Sequence, residues 1–257
     1  MYPDLFSIGP FSVHSFGLMM AIAFIAAGIS AYYEFRRKGM DTESIYWLVI
    51  AAAVGGLVGS KINYLIQHPD ELRDSPLAAA FSGAGLVWYG GVIGGAIAAL
   101  LVVRLYRLSW VRVLDAAAPA MAIGYAFGRI GCFLNGDDYG QPSHLPWALQ
   151  FPKGSPPTPP GIAVQPTQLY ESFSSVVIFL ILMYVLRGRL KRPGAMISAY
   201  LVMAGTERFL VEFVRMHRDG QLQAQVISVI VAVLAAGALV LIYKRRSQDQ
   251  DQPDPAR

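Results

Sequence analysis

Three long stretches of this 257-residue chain contain no acidic or basic residue, and they limit its possible folds more than any other feature. They cover residues 5–33, 75–103 and 220–243. Each is longer than the roughly 20 residues that a helix needs to cross the hydrocarbon core of a bilayer. Hydrophobic residues make up 54% of the chain and charged residues 15%, against about 45–50% and about 25% in ordinary soluble domains. A soluble single domain is therefore excluded, and the three stretches are interpreted as membrane spans.

Four further segments are apolar apart from a few charged residues, and they lie at 45–66, 113–134, 167–186 and 195–214. We interpret them as spans that carry charge inside the membrane. The fold class predicted from all seven segments is an all-α polytopic membrane protein with seven transmembrane helices. The helices are predicted at residues 12–35, 44–66, 85–105, 113–134, 167–187, 195–214 and 222–243.

Most of the 21 lysine and arginine residues lie in segments that seven crossings would place on one side of the membrane. These segments are 36–38, 104–112, 187–192 and 244–257. Because basic residues are enriched on the cytoplasmic side, we expect a periplasmic N-terminus and a cytoplasmic C-terminus. This topology explains the net charge of +4, so no nucleic acid is expected as a partner.

The chain is expected to form one membrane domain, residues 1–246, followed by a disordered polar tail, residues 247–257. The longest segment outside the predicted spans is the proline-rich periplasmic loop 135–166. Its length exceeds that of an ordinary connector, so it is either a lid or small head over the outer face, or a linker. Its aromatic residues favour a structured loop.

Small residues recur at four-residue spacing in the predicted spans, as in the pairs Gly55 and Gly59, and Gly90 and Gly94. This spacing predicts close approach of helix backbones in lipid.

The chain contains a single cysteine, Cys132, and four histidines without the spacing of metal ligands. We therefore expect no intramolecular disulfide, no metal site and no cofactor. Cys132 is interpreted as a small packing residue, because a free cysteine behaves as a buried hydrophobic side chain.

Charged residues within spans are expected to be paired inside the helix bundle. Arg208, Glu212 and Arg215 are three or four residues apart, so they share a helix face and can pair. Arg129 has no oppositely charged residue within one turn of its own helix. Its guanidinium group suits bidentate binding of a phosphate, and a lipid phosphate is the obvious local anion.

Residues 128–140, which read GRIGCFLNGDDYG, resemble the pattern G-R-x-G-N-F-x-N-G-E-x-x-G of bacterial prolipoprotein diacylglyceryl transferases. Further resemblances to this family lie in segments 6–19, 89–91, 165–171 and 208–215, in the same order and spacing.

The resemblance implies a seven-helix enzyme of the bacterial inner membrane that uses no cofactor. Such an enzyme moves the diacylglyceryl group of phosphatidylglycerol onto the lipobox cysteine thiol of a preprolipoprotein and releases glycerol phosphate. The resemblance also implies that Arg129 is a phosphatidylglycerol ligand and that Arg208 is a second essential arginine. The other candidates on the matching segments are catalytic Asp137 and Tyr89, and substrate-binding Asn135, Gly140, Glu212 and His14.

The chain departs from the family pattern at several positions, among them Tyr89 for histidine, Cys132 for asparagine and Phe16 for tyrosine. The base that forms the attacking thiolate therefore stays open among Tyr89, Asp137 and His14. A tyrosine with an ordinary pKa of about 10 is a weak base at neutral pH, so Tyr89 is better suited to donating a hydrogen bond to phosphate. The alternative functions are a catalytically silent phospholipid-binding relative and a lipid transporter, which would need a polar path through both leaflets.

Overall fold

The computed structural model describes residues 3–8, 11–74, 87–216 and 221–250. The chain divides into two compact units. The first unit comprises Met1–Ser30 and Leu114–Arg257, and the second comprises Ala31–Val113.

The described chain begins with a β-hairpin, which the all-α prediction did not include. Strand β1, Asp4–Ile8, pairs antiparallel with β2, Phe11–His14. The predicted first helix, 12–35, is therefore wrong at its start, because residues 12–14 pair with β1 and the helix begins at Ser15. Phenylalanine, isoleucine and valine, which favour strands, occupy Phe6, Ile8 and Val13 in this pair.

The rest of the described chain is mainly helical, and each predicted helix has a counterpart. The helices are α1 (Ser15–Arg37), α2 (Glu43–Gln67), α3 (Pro69–Asp74), α4 (Trp88–Leu105), α5 (Trp110–Asn135), α6 (Thr167–Leu180), α7 (Ala195–Val211) and α8 (Gln221–Gln250). A π-helical segment, Ile181–Leu186, continues α6. The predicted tail 247–257 begins inside α8, and its residues 251–257, like residues 85–86 of the third predicted helix, lie outside the described residues.

Five helices in the described part of the chain are long and apolar enough to cross a membrane. They cover Ser15–Arg37, Glu43–Gln67, Trp110–Asn135, Thr167–Leu186 and Leu222–Lys244. The chain is thus a polytopic membrane protein. The apolar stretch Tyr89–Leu105 is shorter, and α7 has 17 residues, so the count of seven crossings stays a prediction.

In the second unit, α2 and α4 pack backbone to backbone through the glycines that the sequence singled out. A Cβ atom added to Gly59 would collide with the carbonyl oxygen of Gly90, and one added to Gly94 would collide with that of Gly55. The hydroxyl of Ser60 also donates a hydrogen bond of 3.0 Å to the Val87 carbonyl oxygen. The predicted close approach of helices at these residues is confirmed.

In the first unit, Asp115 of α5 fixes the start of α7. Its carboxylate oxygens accept hydrogen bonds of 2.8 Å from the Gly194 N–H and 2.9 Å from the Ile197 N–H, although they lie far from these residues in sequence. They satisfy amide groups that a helix N-terminus leaves without partners. The apolar residues packed along α5, α6, its π-helical extension and α7 are Ala118, Ala122, Ile178, Leu182, Met196 and Ala199.

The loop between α5 and α6 is folded, as its aromatic residues predicted. The rings of Tyr139 and Phe151 stack with centroids 5.3 Å apart, and both side chains are buried together with Val164. The Trp147 indole N–H donates a hydrogen bond of 2.6 Å to the Tyr170 hydroxyl, which ties the loop to α6. The loop is therefore a small head built on its own apolar core.

The packing of α2 against α4 predicts that Gly94→Val destabilises the protein by about 1–3 kcal/mol, the usual cost of overpacking a close contact. Thermal unfolding of the detergent-solubilised protein measures this change. Gly237→Val on α8 is the matched control, because no atom lies within 4 Å of a Cβ added there. Equal unfolding temperatures for the two variants would contradict the packing argument.

Candidate active site

Arg129 projects from the last turns of α5, and three oxygen-bearing side chains contact its guanidinium group. Its Nε donates a hydrogen bond of 2.9 Å to the Tyr125 hydroxyl, and its Nη1 donates one of 2.9 Å to Asp138 Oδ2. Its Nη2 lies 3.2 Å from Glu171 Oε1. The side chain is 12% exposed. The acidic partners that its own helix lacks therefore come from the following loop and from α6.

Glu171, on the second turn of α6, is the common partner of three arginines. Its Oε1 lies 3.2 Å from Arg129 Nη2, 3.4 Å from Arg208 Nη1 and 3.7 Å from Arg215 Nη1. The same oxygen accepts a hydrogen bond of 2.8 Å from the Tyr125 hydroxyl. The carboxylate is only 1% exposed, so these contacts compensate a buried charge. We call Glu171 and the three arginines the arginine cluster.

Helix α7 and the segment directly after it supply the two remaining arginines of the cluster. Arg208 Nη2 lies 2.9 Å from Glu212 Oε2, which confirms the pairing predicted from their four-residue spacing. Arg215 reaches beyond its own segment, because its Nη2 lies 2.6 Å from Asp138 Oδ2 and its Nη1 approaches Glu171. The predicted helix face is thus only partly correct, because the helix ends at Val211 and Arg215 lies beyond it, where it contacts α6 and the loop after α5.

A glycine turns the chain back towards Arg129 after α5. Gly136 has a φ of 76°, and its N–H donates a hydrogen bond of 2.8 Å to the Cys132 carbonyl oxygen. A left-handed glycine commonly ends a helix in this way. The next residues are held by α6, because Gln168 Nε2 donates to the Asp137 carbonyl oxygen (2.5 Å) and the Thr167 hydroxyl donates to that of Asp138 (2.9 Å). The loop therefore keeps the Asp138 carboxylate beside Arg129.

Asp137 and Asp138 differ in their electrostatic environments. Burial raises the pKa of the Asp137 carboxyl, and the hydrogen bond of 2.6 Å from Asn135 Nδ2 only partly opposes this effect. Burial also acts to raise the pKa of Asp138, but the guanidinium groups of Arg215 and Arg129 outweigh it and hold that pKa below its usual range. Asp138 is therefore ionised at neutral pH, and Asp137 is the more basic of the two.

Gly140 lies where three segments meet. Its N–H donates a hydrogen bond of 2.8 Å to the Gln165 carbonyl oxygen, and its backbone forms an isolated antiparallel β-bridge with that of Arg215. A Cβ atom here would lie 2.5 Å from the Val214 carbonyl oxygen and 2.6 Å from Thr167 Cγ2. Only glycine fits without displacing the backbone that carries Arg215.

The structure also groups Cys132 with Asp137 and Asp138, with one potential ligand atom of each residue within 4.8 Å of the others. The sequence predicted no metal site. Two guanidinium groups already contact Asp138 Oδ2, and a divalent cation beside them would be repelled. We assign no metal to this group.

The structure brings six of the sequence-predicted site residues into this region, namely Arg129, Arg208, Asn135, Asp137, Gly140 and Glu212. His14 lies in the hairpin, where its Nδ1 is 2.6 Å from Asp4 Oδ1 and both side chains are exposed. Tyr89 belongs to the second unit, on the first turn of α4, and is exposed. The roles proposed for these two residues stay predictions.

The sequence-based site prediction missed Glu171, Asp138, Arg215 and Tyr125. The sequence signal for Glu171 was a lone acid in an otherwise apolar span.

A small cavity of about 120 Å³ adjoins the cluster, and its lining consists of Asp137, Asp138, Tyr139, Ser155, Pro156, Arg215 and Met216.

A family model described as prolipoprotein diacylglyceryl transferase matches residues 3–243. The chain belongs to the prolipoprotein diacylglyceryl transferase family. A relative from Clostridium tetani is 34% identical over 84% of this chain and 86% of its own length. A relative from Finegoldia magna is 30% identical over 96% of this chain and 98% of its own length. A relative from Chlorobaculum tepidum is 30% identical over 98% of this chain and 93% of its own length. All three are named phosphatidylglycerol–prolipoprotein diacylglyceryl transferase, and the family predicted from residues 128–140 is confirmed.

The contacts of Glu171 predict that Glu171→Gln destabilises the protein by about 1–3 kcal/mol, because it removes the counter-charge that three partly buried arginines share and leaves each of them one acidic partner. Thermal unfolding in detergent measures the loss. The matched control is Glu43→Gln at an exposed position, which we expect to change stability little. Adding Arg215→Gln to Glu171→Gln should restore part of the stability, whereas a further loss of the same size would contradict this account.

Proposed function

We propose that this chain transfers the diacylglyceryl group of phosphatidylglycerol to the cysteine thiol of a prolipoprotein. The observation that carries the proposal is the arginine cluster in a member of this family. Relatives are named for phosphatidylglycerol and prolipoprotein as substrates. Largely buried guanidinium groups suit a substrate whose reacting group is a phosphodiester.

The reaction is a nucleophilic displacement at a glyceryl carbon. The thiolate of the acceptor, which we propose is the lipobox cysteine of a preprolipoprotein signal peptide, forms a C–S bond with this carbon. The C–O bond to phosphate breaks, its electron pair stays on the phosphate oxygen, and glycerol phosphate leaves. Arg129 and Arg208 stabilise the negative charge that develops on that oxygen. The thiol proton passes to a base, because the thiolate is the nucleophile.

Asp137 is the base that we favour among Asp137, Tyr89 and His14. Its raised pKa makes its carboxylate a better proton acceptor than an exposed aspartate. Its Oδ1 atom is buried, and its carboxylate interacts with the Cys132 thiol, which opposes the rise in its pKa. The hydrogen bond from Asn135 fixes the orientation of the other carboxylate oxygen.

The activity assay uses purified protein, phosphatidylglycerol labelled in its diacylglyceryl group and a lipobox peptide. We expect labelled peptide and free glycerol phosphate. We also expect Arg129→Ala to lower the rate at least roughly 100-fold, because a lost charged contact in the transition state costs about 2.7–4 kcal/mol. Arg189→Ala, at an exposed arginine outside the cluster, is the matched control and should keep the full rate.

The same assay separates the candidate bases and the alternative function. Asp137→Asn should abolish transfer while Asp137→Glu keeps part of it, and loss of activity in Tyr89→Phe or His14→Asn alone would favour one of those residues instead. Phosphatidylglycerol binding without any labelled peptide would overturn the transferase proposal and favour a silent lipid-binding relative.

We further propose seven crossings of the bacterial inner membrane, with a periplasmic N-terminus and a cytoplasmic C-terminus. The support for this orientation is the basic content of segments 36–38, 104–112, 187–192 and 244–257. It places the loop 135–166, and with it Asp137, on the periplasmic side.

Labelling of single cysteines tests this orientation. In a Cys132→Ser background, Lys153→Cys should react with a membrane-impermeant maleimide in intact spheroplasts, since residue 153 lies in the outer loop. Lys38→Cys should react only after the membrane is permeabilised. The reverse pattern, or equal labelling of both variants in intact spheroplasts, would contradict the orientation.

A further inference from the structure

The side chain of Asp138 ends between Arg129 of α5 and Arg215 of the segment after α7. Its Oδ2 accepts a hydrogen bond of 2.9 Å from Arg129 Nη1 and lies 2.6 Å from Arg215 Nη2. The two arginine side chains are 12% and 13% exposed, whereas that of Asp138 is 47% exposed. Two largely buried cations thus hold one oxygen atom of a half-exposed side chain.

This arrangement is a binding position for an oxyanion. Guanidinium groups donate to carboxylate and phosphate oxygens with similar geometry, so the oxygen held here could belong to either group. Arg215 Nη1 is buried and makes no hydrogen bond to the described residues, since Glu171 Oε1 is 3.7 Å away. Arg215 therefore has a further donor for a ligand with more than one oxygen.

Charge decides whether Asp138 and a phosphodiester can share this position. A phosphodiester carries one negative charge, as the Asp138 carboxylate does, so exchanging them keeps the local charge constant. Holding both on the same two guanidinium nitrogens would place two anions in contact, which is unfavourable. A bound phosphate must therefore displace the carboxylate.

The local structure allows such an exchange. The carbonyl oxygen of Asp138 is bound by the Thr167 hydroxyl at 2.9 Å, so the backbone is anchored independently of the carboxylate. The side chain is half exposed and adjoins the cavity that also borders Arg215. Rotation of one side chain thus frees both arginines without movement of the loop.

We propose that Asp138 occupies the phosphate position of the ligand-free protein, and that the phosphodiester of phosphatidylglycerol displaces it to bind Arg129 and Arg215. The assignment of this lipid rests on the proposed function. Arg215 then contacts the substrate directly, and Asp138 sets the affinity by competing for the same donors. The lipid binds only the fraction of molecules in which the Asp138 carboxylate has left the two arginines, so the apparent affinity for the lipid falls in proportion to that fraction.

Binding of a short-chain phosphatidylglycerol to the full-length protein in detergent tests the proposal without any peptide. Asp138→Asn should lower the Kd roughly three- to tenfold, because the competing charge is gone while the size of the side chain is kept. Arg215→Gln should raise the Kd at least roughly tenfold through loss of a charged contact. Asp70→Asn and Arg189→Gln, both at exposed positions, are the matched controls and should leave the Kd unchanged.

The backbone of residue 138 determines which substitutions are informative. Asp138 has a φ of 57°, a conformation that asparagine and glycine adopt more readily than other residues. Asp138→Gly is therefore the second variant, and it should tighten binding as Asp138→Asn does. If both variants instead bind the lipid more weakly or with unchanged affinity while their helical circular dichroism is retained, the proposal is wrong.

Inorganic phosphate and glycerol phosphate are tested beside the lipid to identify the source of the phosphate. Tighter binding of the lipid by Asp138→Asn supports the proposal, whereas an effect confined to the two free phosphates would overturn it for the lipid. Failure of the proposed function is seen separately. A Kd effect without any peptide product would overturn only the transferase activity, and product formation without a Kd effect would overturn only this inference.

Discussion

One buried carboxylate holds the candidate site together. Glu171 lies within 3.7 Å of three arginines that come from α5, from α7 and from the segment that follows α7. Each arginine also has a second acidic partner, but Glu171 is the one that all three share, so it ties α5, α7 and the segment after α7 to α6. The distances between the guanidinium groups follow from this shared partner. The site is therefore a property of the assembled helices, although its most recognisable residues lie in one short motif.

Much of the fold could be predicted from the sequence because lipid constrains helices so strongly. Long runs without charge predicted α1, α4 and α8, and glycine spacing predicted a close approach of helix backbones, which the structure shows between Gly59 and Gly90. The hairpin was missed because residues 5–14, like the helix that follows, contain no acidic or basic residue, so the charge-free run did not mark where the helix begins. Hydropathy does not distinguish a short strand from the start of a span.

The candidate site was only partly predictable, for a physical reason. Glu212 caps the end of α7 in a helical conformation four residues after Arg208, so their pairing follows from helix geometry. Glu171 lies 42 residues after Arg129 in the sequence, and Asp138 lies nine residues after it. Helix periodicity does not predict contacts over such separations. The fold also explains why Gly140 is glycine, since the reason is the approach of the Val214 carbonyl oxygen from another segment.

The length of α7 has a consequence for the lipid around it. With 17 residues, the helix is about 26 Å long at 1.5 Å per residue, less than the roughly 30 Å hydrocarbon thickness of a typical bilayer. A bilayer adapts to a short span by thinning locally, at a modest free-energy cost. As a membrane span, α7 would draw lipid headgroups inwards around its ends, and Arg208 lies on its last turn. Hydrophobic mismatch would thus bring the headgroup of a phospholipid substrate towards the arginines, so that the lipid need not be lifted out of its leaflet.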